Sequence, residues 1–271
     1  LQVLDYALLV ISGTDGVQSH TRTLWSLLRR YQIPAFLFVN KTDLPGFDRE
    51  RVLSQLKTEL SENCADFTQD EAALHEELSL TDEALMEQVL ERGSLTDAQI
   101  ASLIAKRRVF PVYFGAALQV EGVSALLSGL QRFTLEPSYP PEFSAQVYKI
   151  ARGEKDERLT FLKVMGGELT VKQTITGADW EEKADQLRLY SGRKFTLVQR
   201  VQAGKICAVT GLSQTQAGEH LGAGKGASAP ILEPGLEYRM QTRSCTSSGT
   251  TRCAKFGCSS WGRCRWKFCK R

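Results

Sequence analysis

The sequence predicts an α/β fold in which a parallel sheet with helices is followed by a small β-barrel. In residues 1–136, short apolar runs typical of buried strands alternate with amphipathic helical stretches. A Pro-rich linker follows at 137–142. From 143 to about 233, apolar residues alternate with a period of two between Gly-containing turns, as in a small barrel. Residues 234–271 form a C-terminal segment of different character.

The first domain contains three predicted strands, at 5–12, 35–39 and 109–114, with helices at about 48–60 and 123–133. Strands that alternate with helices in this way correspond to half of a doubly wound sheet. Sheets of that kind generally have about five or six strands. We therefore expect part of the sheet to lie outside this sequence.

An acidic stretch between the second and third strands, at 61–108, is predicted to be helical. Two N-cap signals with acidic first turns occur there, at Ser79-Leu80-Thr81-Asp82 and Ser94-Leu95-Thr96-Asp97.

The barrel begins with a predicted hairpin. An apolar run at 159–165 enters the turn Gly166-Gly167 and continues into a second strand at 168–171. Further strands are predicted at 195–201 and 206–209.

Length and composition are those of a globular protein. The 271 residues are 42% apolar and 24% charged. No apolar run approaches the roughly 20 residues that a membrane-spanning helix needs, and no cleavable signal is recognisable. Cys64 and Cys207 stand alone in the body of the chain, which is typical of a reducing compartment. We expect a cytoplasmic monomer that contacts no membrane.

Charge and cysteines are concentrated at the C-terminus. The formal net charge is +3, but residues 241–271 carry eight Lys and Arg and no acid. Without them, 26 basic residues face 31 acidic ones, a net charge of −5. Five of the seven cysteines also lie in this segment: Cys245, Cys253, Cys258, Cys264 and Cys269.

The most informative motif is Asn40-Lys41-Thr42-Asp43, which follows a buried strand. Ligands of open α/β sheets bind beyond the carboxyl ends of such strands. A carboxylate there can accept two parallel hydrogen bonds from the N1 and N2 edge of guanine, and adenine offers no matching pair of donors. A Lys stem can lie along the base, and an Asn amide can brace the loop. The alternative is a helix-capping turn before Leu44-Pro45-Gly46.

A second loop, Gly115-Ala116-Ala117-Leu118, follows the strand at 109–114. Its small residues let backbone N–H groups approach a ligand closely, and one of them could donate to guanine O6. Two such loops in this order favour a nucleotide base site.

Four segments of the first domain occur in the order found in a known family: Val3-Leu4-Asp5-Tyr6-Ala7, Asp15-Gly16-Val17-Gln18, Asn40-Lys41-Thr42-Asp43 and Gly115-Ala116-Ala117. Three more segments open the second domain: Val147-Tyr148-Lys149-Ile150, Arg158-Leu159 and Gly167-Glu168-Leu169. Together they resemble the translational GTPases of the elongation factor G type, and more closely the tetracycline-resistance ribosomal protection proteins. The resemblance covers about residues 1–240.

The resemblance implies the C-terminal half of a P-loop GTPase domain, then the translation-factor β-barrel called domain II, then the start of domain III. The implied guanine-binding residues, in the fourth and fifth motifs of the family, are Asn40, Lys41, Asp43, Ala116, Ala117 and Leu118. Ala117 would offer its backbone N–H to the base. The family usually has Ser at position 116, so loop bracing should be weaker here. The implied ligand is GTP or GDP, and the implied partner is the ribosome, whose small-subunit rRNA would contact domain II.

Several family features do not occur in this sequence. They are the G-x-x-x-x-G-K-[ST] phosphate loop, the first switch threonine and the Asp-x-x-Gly-His segment that holds Mg²⁺ and the attacking water. In the family all of them lie upstream of Leu1. Because phosphoryl transfer depends on these parts, we predict no catalytic residue, no metal ligand and no GTP hydrolysis. We also predict weak nucleotide binding or none, since the phosphates have no cradle.

Three functional interpretations remain open. The chain is a piece of a ribosome-associated GTPase, of either the ribosomal protection or the translocation type, which the sequence does not separate. Alternatively it is a non-functional truncated remnant, or a stand-alone RNA-binding barrel with a basic tail.

The tail at 241–271 departs abruptly from the family pattern. A zinc module is one interpretation, but the spacing of Cys253, Cys258, Cys264 and Cys269 is poor for it. A basic RNA-binding arm that stacks bases on Trp261, Trp266 and Phe268 is another. We favour a frameshift, because permitted codons read one nucleotide out of frame yield a stretch that resembles the family's third domain.

Overall fold

The computed structural model describes residues 3–80, 83–153, 156–177 and 180–223. In the first domain, strands and helices alternate as predicted. The elements are β1 (Ala7–Ser12), α1 (Ser19–Arg30), β2 (Ala35–Asn40), α2 (Arg49–Glu59), β3 (Cys64–Asp66), α3 (Glu71–Ser79), α4 (Glu83–Arg92), α5 (Asp97–Ala105), β4 (Phe110–Phe114) and α6 (Val123–Phe133). No helix in this part of the chain has the length and apolar character needed to cross a membrane.

The strands form one parallel sheet in the order β1-β2-β4-β3. β2 is buried along its apolar length because helices cover both faces of the sheet. On one face, Leu37 packs with Leu56 of α2 and its neighbours from α1. On the other, Phe36 packs with Leu78 of α3 and with residues of α5 and α6. The predicted parallel sheet is confirmed.

Among the described helices, α2, α3 and α5 begin at side-chain caps that satisfy otherwise unpaired backbone N–H groups. The Asp48 carboxylate accepts from the N–H of Arg51 at 3.0 Å at the start of α2. Thr96 and Gln99 form a reciprocal capping box at the start of α5, which confirms the second predicted N-cap. The first predicted N-cap, at 79–82, extends outside the described residues.

The prediction of three strands was wrong, because β3 is a fourth. It lies within the stretch predicted to be helical and pairs in parallel with β4 at the edge of the sheet. β3 is three residues long and fully buried. A segment this short carries no readable hydrophobic period, so only its pairing with β4 defines it as a strand.

The second domain consists of antiparallel strands around one core, which confirms the predicted barrel architecture. The strands are β5 (Ser144–Arg152), β6 (Arg158–Gly166), β7 (Glu168–Thr170), β8 (Thr174–Thr176), β9 (Glu181–Lys183), β10 (Gln186–Ser191), β11 (Lys194–Val198), β12 (Arg200–Gln202), β13 (Ile206–Thr210) and β14 (His220–Gly222). Six of them form a sheet in the order β11-β10-β13-β6-β5-β14, and two pairs, β12-β7 and β8-β9, complete the domain. Leu162, Leu169 and Ile175 bring the three sheets into a common core.

The predicted hairpin between β6 and β7 was wrong. β7 pairs with β12, while β6 pairs with β5 and β13. Gly167 adopts φ 56° between β6 and β7, and a Cβ there would lie 2.7 Å from the Pro141 carbonyl oxygen. The glycine therefore redirects the chain into another sheet instead of reversing it. The single strand predicted at 195–201 is likewise split, because β11 pairs with β10 and β12 with β7.

A buried lysine connects the two domains. Lys163 of β6 is 2% exposed. Its Nζ donates to both carboxylate oxygens of Asp5, each at 2.6 Å, and to the Val3 carbonyl oxygen at 3.1 Å. Because Asp5 and Val3 precede β1, this contact holds the barrel against the start of the parallel sheet.

The predicted C-terminal segment at 234–271 lies outside the described residues, as does the end of the barrel after residue 223. The frameshift, zinc and RNA-arm interpretations of the tail therefore stay predictions.

Candidate functional site

The two predicted base loops lie side by side at one edge of the parallel sheet. Val39 of β2 pairs with Phe114 of β4, so the segments that follow these two residues begin side by side, with Asn40 as the last residue of β2 and Gly115 as the first residue after β4. The backbone N–H of Thr42 donates to the Gly115 carbonyl oxygen at 3.3 Å. Parallel strands bring loops that are distant in sequence to a common edge, where ligands of such folds bind.

Asn40 joins the two loops through its side chain. Its Oδ1 accepts from the backbone N–H of Lys41 at 2.8 Å and from that of Ala117 at 2.9 Å. One amide oxygen thus satisfies donors that are 76 positions apart in sequence and holds the loops in a fixed relation. This is the bracing expected of an asparagine at this position.

Two glycines allow the second loop to fold tightly. A Cβ on Gly115 would lie 2.2 Å from the Glu121 carbonyl oxygen, and one on Gly122 would lie 2.2 Å from the Phe114 carbonyl oxygen. Gly122 also adopts φ 72°. The backbone therefore turns back on itself in a space that excludes any side chain.

Each loop contains a non-glycine residue in the left-handed region. Lys41 has φ 66° and Val120 has φ 62°. For a β-branched residue such as Val120 this conformation is a genuine outlier. Strained backbone of this kind costs about 1–3 kcal/mol and occurs preferentially at ligand sites.

The Asp43 carboxylate is exposed and already has a partner in the second loop. Gln119 Nε2 donates to Asp43 Oδ2 at 3.1 Å. Gln119 lies in the short 3₁₀ turn Ala117–Gln119. The sequence analysis missed this residue, since nothing in its spacing links it to Asp43. Its contact with Asp43 places an amide N–H where a ligand donor would be expected.

The three remaining predicted residues lie in very different surroundings. The side chain of Ala116 is buried, and its backbone N–H donates to the Glu121 carbonyl oxygen at 3.1 Å. Ala117 is exposed and offers its N–H to Asn40 in this structure. Leu118 is 96% exposed. Its role in binding a base stays a prediction.

An arginine behind the loops was also missed. Arg49, the first residue of α2, donates from Nε to Asp66 Oδ2 at 2.9 Å and from its terminal NH2 nitrogen to the same oxygen at 2.5 Å. Its guanidinium lies 4.4 Å from the centre of the ring of Phe114, the residue that directly precedes Gly115. The Arg49 side chain therefore links the start of α2 to β3 and to the last residue of β4.

The described residues offer polar atoms suited to a guanine base, but they include no cluster of three metal-binding side chains. Asp43, Asn40 and the Ala117 N–H offer acceptor and donor atoms that suit a guanine base. Across residues 3–80, 83–153, 156–177 and 180–223, no group of three or more His, Cys, Asp or Glu side chains is placed to hold a metal ion.

Comparison with known proteins places the chain in a family. The model of the elongation factor Tu GTP binding domain matches residues 1–136, half of the chain, and that of elongation factor G domain 2 matches residues 142–224. The chain belongs to the translational GTPases of the elongation factor G type. The two matches follow one another in the same order as the parallel sheet and the barrel.

Two curated relatives are resistance proteins. The tetracycline resistance protein TetP of Clostridium perfringens is 29% identical over 249 residues, which cover 82% of this chain and 38% of that protein. The oxytetracycline resistance protein of Streptomyces rimosus is 29% identical over 260 residues, which cover 82% of this chain and 39% of that protein. The chain thus spans less than two-fifths of the length of these relatives.

A crystal structure of a protein from Thermus thermophilus has the same fold. It superposes with a TM-score of 0.74 at 18% identity, over 87% of this chain and 44% of that one. The similarity extends through both domains described above.

Proposed function

We propose that this chain recognises the guanine base of GTP or GDP through Asn40, Lys41 and Asp43 together with the backbone of 116–118. Asp43 accepts from N1 and N2 of the base, the Lys41 stem lies along its face, and the Ala117 N–H faces O6. The observation that carries the proposal is the pair of hydrogen bonds to Asn40 Oδ1, which holds the two loops together.

Base binding requires two existing contacts to rearrange. Gln119 occupies one oxygen of Asp43 and must give way to the N1 and N2 donors of guanine. The Ala117 N–H, which donates to Asn40, must be shared with O6. Because the Gln119 contact is lost and the Ala117 N–H is divided between two acceptors, part of the gain from the two new bonds to Asp43 is offset, and we expect weak binding without a phosphate cradle.

The best-supported cellular role is that of a ribosome-associated GTP-binding translation factor of the tetracycline-resistance ribosomal protection type. The resistance proteins that match the chain favour this assignment. In it, the protein is a cytoplasmic monomer, and domain II contacts small-subunit rRNA. The chain itself binds the nucleotide without hydrolysing it. One alternative is a role in translocation, of the elongation factor G kind. The other alternative is that the chain is a non-functional remnant.

The decisive experiment changes the base preference. Asp43→Asn turns the acceptor of N1–H and N2–H into a side chain with its own donor, which suits xanthine rather than guanine. We expect wild-type protein to bind GDP in the millimolar range or tighter by ligand-observed NMR, and the variant to prefer xanthosine diphosphate. Asp156→Asn, the same change at an exposed barrel residue with φ 58°, is the matched control because Asn tolerates that conformation. No binding of wild type at millimolar GDP would refute base recognition.

The ribosomal role is tested separately by co-sedimentation with small ribosomal subunits. We expect retention of the chain on the subunits at low salt and its loss as the salt concentration rises. A protein that stays in the supernatant under all salt conditions would favour the remnant interpretation.

A further inference from the structure

A row of four aromatic rings crosses the outer face of the six-stranded sheet. We call it the aromatic ladder. It consists of Tyr148 on β5, Phe161 on β6, Tyr190 on β10 and Phe195 on β11. Successive ring centres are 6.3, 5.5 and 5.4 Å apart. The rings therefore form one continuous surface over residues from four strands.

Strand register explains why the rings meet. Tyr190 pairs directly with Phe195 in the β10–β11 hairpin. Between β6 and β10 lies β13, whose Ala208 pairs with Phe161 on one side and Arg188 on the other. Because Ala208 has only a methyl group, Phe161 and Tyr190 can touch above it.

The ladder faces away from the core of the barrel. On β10, Leu187 and Leu189 belong to the core, whereas Arg188 and Tyr190 point to the opposite face. Tyr148, Tyr190 and Phe195 are 37%, 38% and 46% exposed. The opposite face of this sheet already packs against the barrel core. A contiguous patch of exposed rings on the outer face therefore indicates an interaction surface.

Cations are interleaved with these rings. Lys149 Nζ lies 5.3 Å from the centre of the Phe161 ring, and the Arg188 guanidinium lies 4.6 Å from that of Phe195. Arg188 also donates to Glu157 at 2.8 Å, which fixes its guanidinium in place. The hairpin at 186–198 adds the exposed Arg193 and Lys194 at its tip and contains no acidic residue.

We propose that the aromatic ladder is a stacking platform for unpaired bases of an RNA strand, with the hairpin cations placed for its phosphates. Exposed rings that alternate with Lys and Arg suit single-stranded nucleic acid, because every base has a face that stacks and every linkage carries a negative charge. The absence of acids from the hairpin disfavours a basic protein surface as the partner. This inference rests on the proposed ribosomal role and specifies the chemistry of the contact.

The test uses the full chain and a fluorescein-labelled 12-nucleotide oligouridylate, with affinity measured by fluorescence anisotropy at low salt. Phe195→Leu removes the ring but keeps an apolar side chain, and should weaken binding about tenfold through loss of one stacked base. Phe195→Trp should restore it. Leu197→Ala is the matched control, since Leu197 lies on the same strand and face and is exposed without being aromatic. All variants are first compared by circular dichroism.

A second readout locates the RNA independently of the basic tail. Photocrosslinking with 4-thiouridine in the oligonucleotide should label peptides that contain Tyr190 or Phe195, and mass spectrometry identifies them. Unchanged affinity of Phe195→Leu together with crosslinks confined to 241–271 would overturn the proposal.

Parallel co-sedimentation with small ribosomal subunits separates the two hypotheses. Oligonucleotide binding that depends on Phe195, without subunit binding, would refute the ribosomal role and leave the ladder standing. Subunit binding insensitive to Phe195→Leu, together with oligonucleotide affinity that is also unchanged by Phe195→Leu, would refute the ladder and leave the ribosomal role.

Discussion

Removing either partner of the Lys163–Asp5 pair should have very unequal effects on stability. Lys163 is 2% exposed, whereas the side chain of Asp5 is 43% exposed. Asp5→Ala therefore leaves a buried ammonium with the Val3 carbonyl as its remaining partner among the contacts described above. We expect a loss of about 3–5 kcal/mol in the free energy of unfolding, as for other buried charges deprived of a counterion.

Lys163→Met removes the charge and keeps a side chain of similar length. Asp5 is then hydrated, because almost half of its side chain already faces water. The expected loss is about 1 kcal/mol, the value of ordinary hydrogen bonds exchanged for water. The double variant should resemble Lys163→Met, since no uncompensated charge remains once the ammonium is gone.

The measurement is urea unfolding of the four proteins, followed by circular dichroism, with the free energies compared in a double-mutant cycle. A coupling of about 2 kcal/mol or more is expected. Equal destabilisation by Lys163→Met and Asp5→Ala would show that the buried ammonium is not the cause of the loss. Effects of the two substitutions that simply add would show the same.

Three further predictions concern the loops, the thiols and acid stability. Asn40→Ala removes the acceptor shared by two N–H groups. GDP affinity, measured by ligand-observed NMR, should therefore fall at least tenfold. The urea midpoint should shift by the equivalent of about 1 kcal/mol in the free energy of unfolding. Burial raises the pKa of Cys64 and of Cys207 to about 12. Both thiols of the native protein should therefore resist alkylation by iodoacetamide at pH 8. Rapid labelling would contradict their burial. A hydrogen bond from Arg132 lowers the pKa of Asp97 in the native protein. The Arg132–Asp97 pair therefore stabilises the fold at pH values above the unfolded pKa of about 3.9. This stabilisation is lost as the pH falls through the lower pKa that Asp97 has in the native state. Because both side chains are half exposed, Arg132→Met should cost less than about 1 kcal/mol at pH 7, and this cost should shrink as the pH falls through the lowered native pKa of Asp97, which urea unfolding at a series of acidic pH values measures.

The parallel sheet and the candidate site were largely predictable because their signals are local. β2 is apolar at five successive positions, which is typical of a strand covered on both faces. The loop residues Asn40 and Asp43 follow it directly, and strand order in an open sheet places their loop at the ligand edge. α6, at Val123–Phe133, was predicted with its observed bounds from helical periodicity alone.

The errors all involve pairing between segments distant in sequence. β3 is too short to show a period, so its identity depends on β4, which is more than 40 residues away. Gly166-Gly167 resembles a hairpin turn, but the partner of β7 is β12. A local pattern specifies which face a strand buries, whereas its neighbour is selected by the packing of the whole core.

Motifs that are contiguous along the chain were enough to identify the family and the order of the two domains, and to predict which residues form the first candidate loop. The folded chain was needed to see that Gln119 contacts Asp43, that Arg49 pairs with Asp66, and that Lys163 connects the barrel to the residues before β1. Each of these contacts joins side chains at least 17 residues apart, and the Lys163–Asp5 pair spans 158. Contacts of that range are set by the relative positions of whole elements, which no local spacing encodes.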